Sequence, residues 1–393
     1  MDQIQTDIAS TITPSWLTSA PSNLGSASHG KLKADVWRIL GSVYLPISLI
    51  RLWWSAVPGN ARSERCRKIL DITISLLSAV SIATSRVTSP QHADLYLQHM
   101  QAYLTGLKEL FPEFKFVPNQ HMALHLPDYI LLYGPVHSWW AFPFERMIGT
   151  LQRISTNCKE GEYEETIARS FVRSANLRRI LEQTGTPEVI QNCKSMFRKL
   201  VDPQVRGTLV TDLLSFAMDD LDDVEEMSTS DTTSPLPKIP DSLTTCLQES
   251  FGGTAKVIAL LPNLTMKGII YSAASRHAGN SSILIHSGLP GVLIPAQIQC
   301  FVQLVLPDNI NTPVTFVAAQ RYLPVNVNRD PFSAYPFLRA KLWSRELDSL
   351  GLYTPESIES HFAHCPMEWE EQQVMAIISL SRVSYLLNTI DIY

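Results

Sequence analysis

Two histidines, His121 and His125, stand four residues apart in HMALH, and a carboxylate, Glu145, follows twenty residues later in FPFERMIG. On a helix an i, i+4 pair shares one face, the geometry from which two imidazoles ligate zinc. Zinc wants four ligands, and the usual companions of such a pair are the thiols of a CxxC, which this chain lacks. The plainer reading is two polar positions on a helix that ends at Pro127. A zinc metalloprotease is excluded directly, because HExxH needs a glutamate beside the first histidine and Met122 stands there.

Glu145 is flanked by Phe142, Phe144, Met147 and Ile148. A carboxylate in such an apolar setting is costly to bury unless an arginine or a metal ion compensates it. Arg146 adjoins it, but neighbours in sequence do not face each other on a helix. Arg153 and Arg173 are therefore the expected partners of a structural ion pair. From Arg146 to Lys199 there are ten Lys and Arg against six Glu, and Arg169/Arg173 and Arg178/Arg179 are placed to touch phosphate. The plain alternative is a solvated helix face. Further along, His361, His364 and Cys365 in HFAHC have ligand chemistry but no fourth partner, so packing is the expected role. There is no Walker loop, GxSxG elbow or dinucleotide fingerprint.

The elements that must position these residues follow from periodicity. The 393 residues are 45% hydrophobic and 18% charged, with a net charge of −5, a globular profile. Six cysteines are scattered, which favours reduced thiols in an intracellular, nuclear or cytoplasmic protein. No signal peptide is visible at the N-terminus, and the most apolar stretch, 69–83, is too short and polar to span a bilayer. The expected fold class is α+β: a mainly helical N-terminal region followed by a small antiparallel β-rich C-terminal domain. Residues 1–30 read as an extended N-terminal segment, 31–205 as a helical domain, 206–245 as an acidic linker and 246–393 as the β-rich domain with a short helical or coil tail that includes HFAHCPMEW. Pro46 should break or kink its helix, and Ser89-Pro90 should start the next one. The linker assignment rests on eight acids from Asp212 to Asp231 with no Lys or Arg among them.

NQHMALHLPDYILLYGPVHSWWAFPFERMIGTLQRISTN, followed by SFVRSANLRRIL, resembles the helical region behind the catalytic core of CACTA-type (En/Spm) DNA transposases of the fungal type. TPSWLTSAP with HGKLKADVWRILGSVYLPISLIRLW is similar to their helical insertion, and AQRYLPVNVNRDPFSAYPFLRAKL with HFAHCP to their C-terminal β-rich domain. The resemblance implies an RNase H-like core with an Asp, Asp, Glu triad holding two Mg2+ ions for DNA strand transfer. It also implies a structural Zn2+ held by a CxxC and a His pair. Glu145 then matches the third acid, His121 and His125 the His half of the zinc site, and Arg146, Arg153, Arg173, Arg178 and Arg179 fall where DNA contact is expected. The first two acids and the CxxC of that family lie upstream of TPSWLTSAP, so the chain reads as a C-terminal portion. One carboxylate cannot hold two metal ions, and two histidines cannot hold zinc tightly. No tightly bound cofactor and no catalysis are expected of this portion alone. Its expected partners are DNA and a full-length transposase, with neither a membrane nor a small-molecule cofactor. The rival readings are a host-recruited nucleic-acid or protein binding module and, more weakly, a metal-dependent hydrolase built on His121, His125 and Glu145.

Overall fold

The computed structural model describes residues 1–381 apart from 18, 27–31, 33, 56–58, 157–158, 160, 183–186, 188, 191–238, 267, 290 and 308. The side chains of Arg146, Thr150, Arg178, Leu181, Glu182 and residues 309–311 lie outside the description as well. The chain is an α+β protein: its helices are concentrated in the N-terminal half and an antiparallel sheet fills the C-terminal region. It divides into two compact units, Met1–Ser138 with Leu214–Tyr393, and Trp139–Leu213. The acidic stretch 212–231 lies outside the described residues.

In the first unit the N-terminal segment is not extended throughout, as its composition suggested. Asp2–Ser10 forms helix α1, whose Asp7 and Ile8 are buried. Helix α2, Ala34–Ile39, runs into a π-helical turn, Leu40–Tyr44, and then α3, Leu45–Trp53. The cause of the π turn is Pro46, which has no N–H to give back along the helix and whose ring crowds the preceding turn. The chain widens instead of breaking, and Leu45 donates to the Leu40 carbonyl five residues back. Helix α4, Ala61–Ala83, is capped by the Asn60 side chain, and α5, Pro90–Leu110, by Ser89, whose hydroxyl accepts from the His92 N–H.

Pro118–Ala123 forms α6 and Leu126–Tyr133 forms α7. Pro127 therefore starts a helix where the sequence suggested that one ends. It cannot donate to the Ala123 carbonyl, and the Tyr96 hydroxyl fills that acceptor from α5 at 2.9 Å. Helix α7 stops at Gly134, whose φ of +74° is open to glycine and strained for other residues.

The strands among the described residues are β1 Lys256–Leu261, β2 Asn263–Met266, β3 Ile269–Ser272, β4 Ser282–His286, β5 Leu293–Leu306, β6 Asn309–Tyr322, β7 Ala340–Ser344, β8 Leu347–Tyr353, β9 Ile358–Trp369 and β10 Gln372–Ser379. Their main sheet has the order β7-β10-β9-β4-β5-β6-β8, with β1 also on β5, while β2 and β3 make a separate hairpin. HFAHCPMEW is thus not a tail but most of β9, an interior strand of the sheet. Ile47 and Ile50 of α3 and Leu70 and Ile74 of α4 pack with Leu342 of β7, Cys365 and Met367 of β9, and Val374 and Ala376 of β10. Burying each large apolar side chain there contributes roughly 1.5–3 kcal/mol. Helices α3 and α4 therefore share a core with β7, β9 and β10. Among the described residues no helix is long and apolar enough to cross a membrane. Cys66, Cys246, Cys300 and Cys365 are unpaired thiols.

Candidate functional site

In the second unit Phe142–Gln152 forms α8 and Tyr163–Glu182 forms α9. Glu145 sits in the first turn of α8, where the unsatisfied N–H groups favour a carboxylate by about 0.3–1 kcal/mol. It is exposed, and so are its neighbours Phe144, Met147 and Ile148, with Phe144 at 68%. The apolar wall expected around this carboxylate is not there: sequence neighbours on a short helix point to different sides, and this stretch turns most of them outward. Among the described ion pairs Glu145 joins neither Arg153 nor Arg173. Arg153 instead donates from Nε to the Gly149 carbonyl at 3.0 Å. The side chains of Arg146 and Arg178 are not described.

Helix α9 buries one stripe only partly, through Ile167, Ser170, Phe171 and Ser174, and leaves Arg169, Arg173, Asn176 and Arg179 exposed. Offsets of four, three and three residues place these four on one face. Arg169 is already paired with Glu165 one turn back. Acids at the start of the helix and arginines toward its end also complement the helix dipole, which accounts for part of the pattern.

His121 and His125 belong to the first unit, and they are not on one helix. His121 lies in α6, and His125 is the N-cap of α7. The link keeps a helical twist, with Leu124 at φ −70°, ψ −17° and His125 at φ −94°, ψ −4°, so the rings still meet. Their centroids are 5.0 Å apart and nearly perpendicular, with 3.3 Å between the two Nε2 atoms. Both residues are exposed. Among the described residues no group of three or more His, Cys, Asp or Glu is gathered to hold a metal. The residues do not fit a two-Mg2+ centre, and Glu145 alone would not supply one. They offer two of the four donors that a zinc ion needs.

The third cluster is built and buried. His361 and His364 lie on β9 with little solvent exposure. Trp16 donates its indole N–H to His361 Nδ1 at 3.2 Å, so Nδ1 carries the lone pair and Nε2 carries the proton. That Nε2 lies 3.1 Å from the Asn280 carbonyl. Tyr271 stacks on the same ring at 4.3 Å. His364 Nε2 is 3.3 Å from the Ser282 hydroxyl. Burial pushes both imidazoles down to about 4, so both are neutral near pH 7. Ser15 and Asn280 exchange two further hydrogen bonds, at 2.7 and 3.0 Å. Ile12 makes an isolated β-bridge with His364. Through these contacts the two histidines fasten the N-terminal segment to the sheet. Sequence reading missed Trp16, Asn280 and Ser282, because their partners are distant along the chain and only the histidines carry a recognisable chemistry.

A family model for a domain of unknown function, DUF4218, matches residues 85–180. The matched stretch holds His121, His125, Glu145, Arg146, Arg153, Arg173, Arg178 and Arg179, and excludes the buried histidines of β9. No curated protein and no solved structure matches the chain.

Proposed function

We propose that this chain derives from a CACTA-type DNA transposase and that its own activity is contact with nuclear DNA through the exposed arginine face of α9. The observation that carries this reading is that face: Arg169, Arg173, Asn176 and Arg179 all project from one helix into solvent. Ten residues of helix span about 15 Å. With one phosphate per about 3.4 Å of axis on each strand, that is the reach of several phosphates. Arg173 and Arg179 take backbone oxygens, fixing register without reading sequence. No step of strand transfer is assigned to Glu145, because one exposed carboxylate does not hold the metal pair that such chemistry needs.

The test is binding of the full chain to a labelled duplex at several salt concentrations. The logarithm of affinity should fall linearly with the logarithm of salt. Arg173→Glu with Arg179→Glu should weaken binding and flatten the slope by about one for each phosphate no longer neutralised. Glu145→Gln should leave binding unchanged. Affinity that ignores both salt and the two arginines would sink the proposal.

A further inference from the structure

We propose that the acidic stretch Leu214–Met227 docks on a basic and aromatic surface of its own chain, where α4 begins and α5 ends. Six of the eight residues Asp219–Glu226 are acids, which exceeds the net charge of −5 of the whole chain. The other two, Leu221 and Val224, are apolar, and Leu214, Phe216, Met218 and Met227 flank them. A surface that fits such a stretch needs cations for the carboxylates and exposed apolar groups for the side chains between them.

The same compact unit carries a surface with both. Helix α4 opens with Arg62, Arg65 and Lys68, all exposed. Cations at the start of a helix oppose its dipole, so helix stability does not account for them there. The first-turn acid, Glu64, is engaged by the Gly59 N–H at 3.1 Å. Arg65 ties this end of α4 to the end of α5. Its Nη2 donates to the Leu110 carbonyl at 3.1 Å, and its guanidinium lies 5.0 Å from the centre of the Phe111 ring. Lys108 in the last turn of α5 and Lys115 just beyond it therefore extend the same basic region. Glu109 and Glu113 are exposed there too, so five cations stand against three acids.

The apolar component follows directly. The Phe114 N–H donates to the Phe111 carbonyl at 2.9 Å, turning the chain as α5 ends. Phe114, Phe116 and Val117 are exposed by 42–50%, and the two phenyl rings meet edge to face at 5.8 Å. Single exposed apolar residues are normal on a monomer; three within four residues, beside a group of cations, mark a contact surface.

Charge complementarity and the tether together select the occupant. Ile239, the first described residue after the stretch, lies twelve residues beyond Met227, an extended reach of about 40 Å. A tethered segment meets its surface at a high effective concentration, so it is favoured over the same segment on a second copy. Exposed ion pairs are individually weak and are screened by salt, so the docking depends on several of them acting with the apolar contacts. This inference is independent of DNA contact by α9.

The experiment is carbodiimide cross-linking of the full chain, which joins carboxylates to lysine amines in contact. An equal mixture of isotopically heavy and light chains separates links within a chain from links between chains. Coupling of Lys159 to Glu162, 3.9 Å apart, reports that the chemistry has run. The expected result is a set of within-chain links from acids 219–226 to Lys68, Lys108 or Lys115, lost in 1 M salt. Arg62→Glu with Phe116→Ser leaves all three lysines in place and alters only exposed side chains. It should lower the yield of those links several-fold with the circular dichroism unchanged. Links from these acids chiefly to other lysines, links mainly between chains, no links while Lys159 couples to Glu162, or a yield indifferent to salt and to the double variant would each overturn the proposal.

Discussion

The indole N–H of Trp16 meets Nδ1 of His361 across 345 residues of chain, at 3.2 Å. That one bond fixes the tautomer, because a nitrogen that accepts carries no proton. Protonating His361 would set two N–H donors against each other inside the protein. The buried histidine is therefore a fastener that works only while neutral, and the N-terminal segment is what it fastens.

Acid should loosen this fastening. His361 and His364 are held down at about 4, whereas in the unfolded chain a histidine titrates near its ordinary value of about 6.5. Between those values the unfolded state binds more protons, so stability is complete above pH 6.5 and falls as pH drops toward 4. Each depression of this size corresponds to roughly 3 kcal/mol, reached only below the folded value. Burial also lowers His92 and His99, which act in the same direction. Denaturant midpoints at pH 7, 5.5 and 4.5 should fall steadily, and a His361→Asn, His364→Gln variant should show a flatter dependence. A midpoint unchanged from pH 7 to 4.5 would exclude this account.

A second prediction concerns the path of the same segment. A Cβ added at Gly279 would stand 1.9 Å from the Thr13 carbonyl oxygen, closer than any real contact. The Thr13 backbone must then move, taking Ile12 off His364 and Ser15 off Asn280. Gly279→Ala should cost about 1–3 kcal/mol, the usual penalty of overpacking. Limited proteolysis should cut the variant near residues 11–17 faster than the parent, and equal rates would count against the docking.

Local chemistry was the legible part of this fold. Ser89 followed by Pro90 announced a helix start from two residues, and the structure has the Ser89 hydroxyl accepting from the His92 N–H at 3.2 Å. Ser89→Ala should therefore cost about 1 kcal/mol, measurable as a lower thermal midpoint, while Ser89→Asp should keep most of the stability. The α+β class was legible for the same reason: helical and strand periodicities are local. HFAHC was not, because an interior strand covered on both faces loses the alternation that marks a strand. Glu145 misled in the opposite direction, since apolar neighbours in sequence say little about a short helix that turns them outward. Helix α1 was hidden because Asp7 finds Arg51 44 residues away.

That last pair yields the sharpest prediction. Asp7 accepts from Arg51 Nη1 at 2.8 Å and from Gln3 Nε2 at 2.8 Å. The two charged partners are not equally buried: the Asp7 side chain is 2% exposed, the Arg51 side chain 28%. Removing either leaves the other, and the cost depends on whether the survivor can reach water. Arg51→Ala strands a buried carboxylate whose second oxygen, Oδ2, already has no hydrogen-bond partner among the described residues. That change should cost about 3–5 kcal/mol, as breaking a buried pair does. Asp7→Ala leaves a guanidinium that can swing toward solvent, so its cost should be nearer the roughly 1–3 kcal/mol of one unmade hydrogen bond. Replacing both at once should cost less than the sum of the two single changes, because the second relieves the charge left by the first. Urea denaturation of the four proteins gives the cycle directly. If Asp7→Ala proves the more damaging single change, burial does not set the energetics of this pair, and the attachment of α1 rests on its apolar contacts through Ile8 instead.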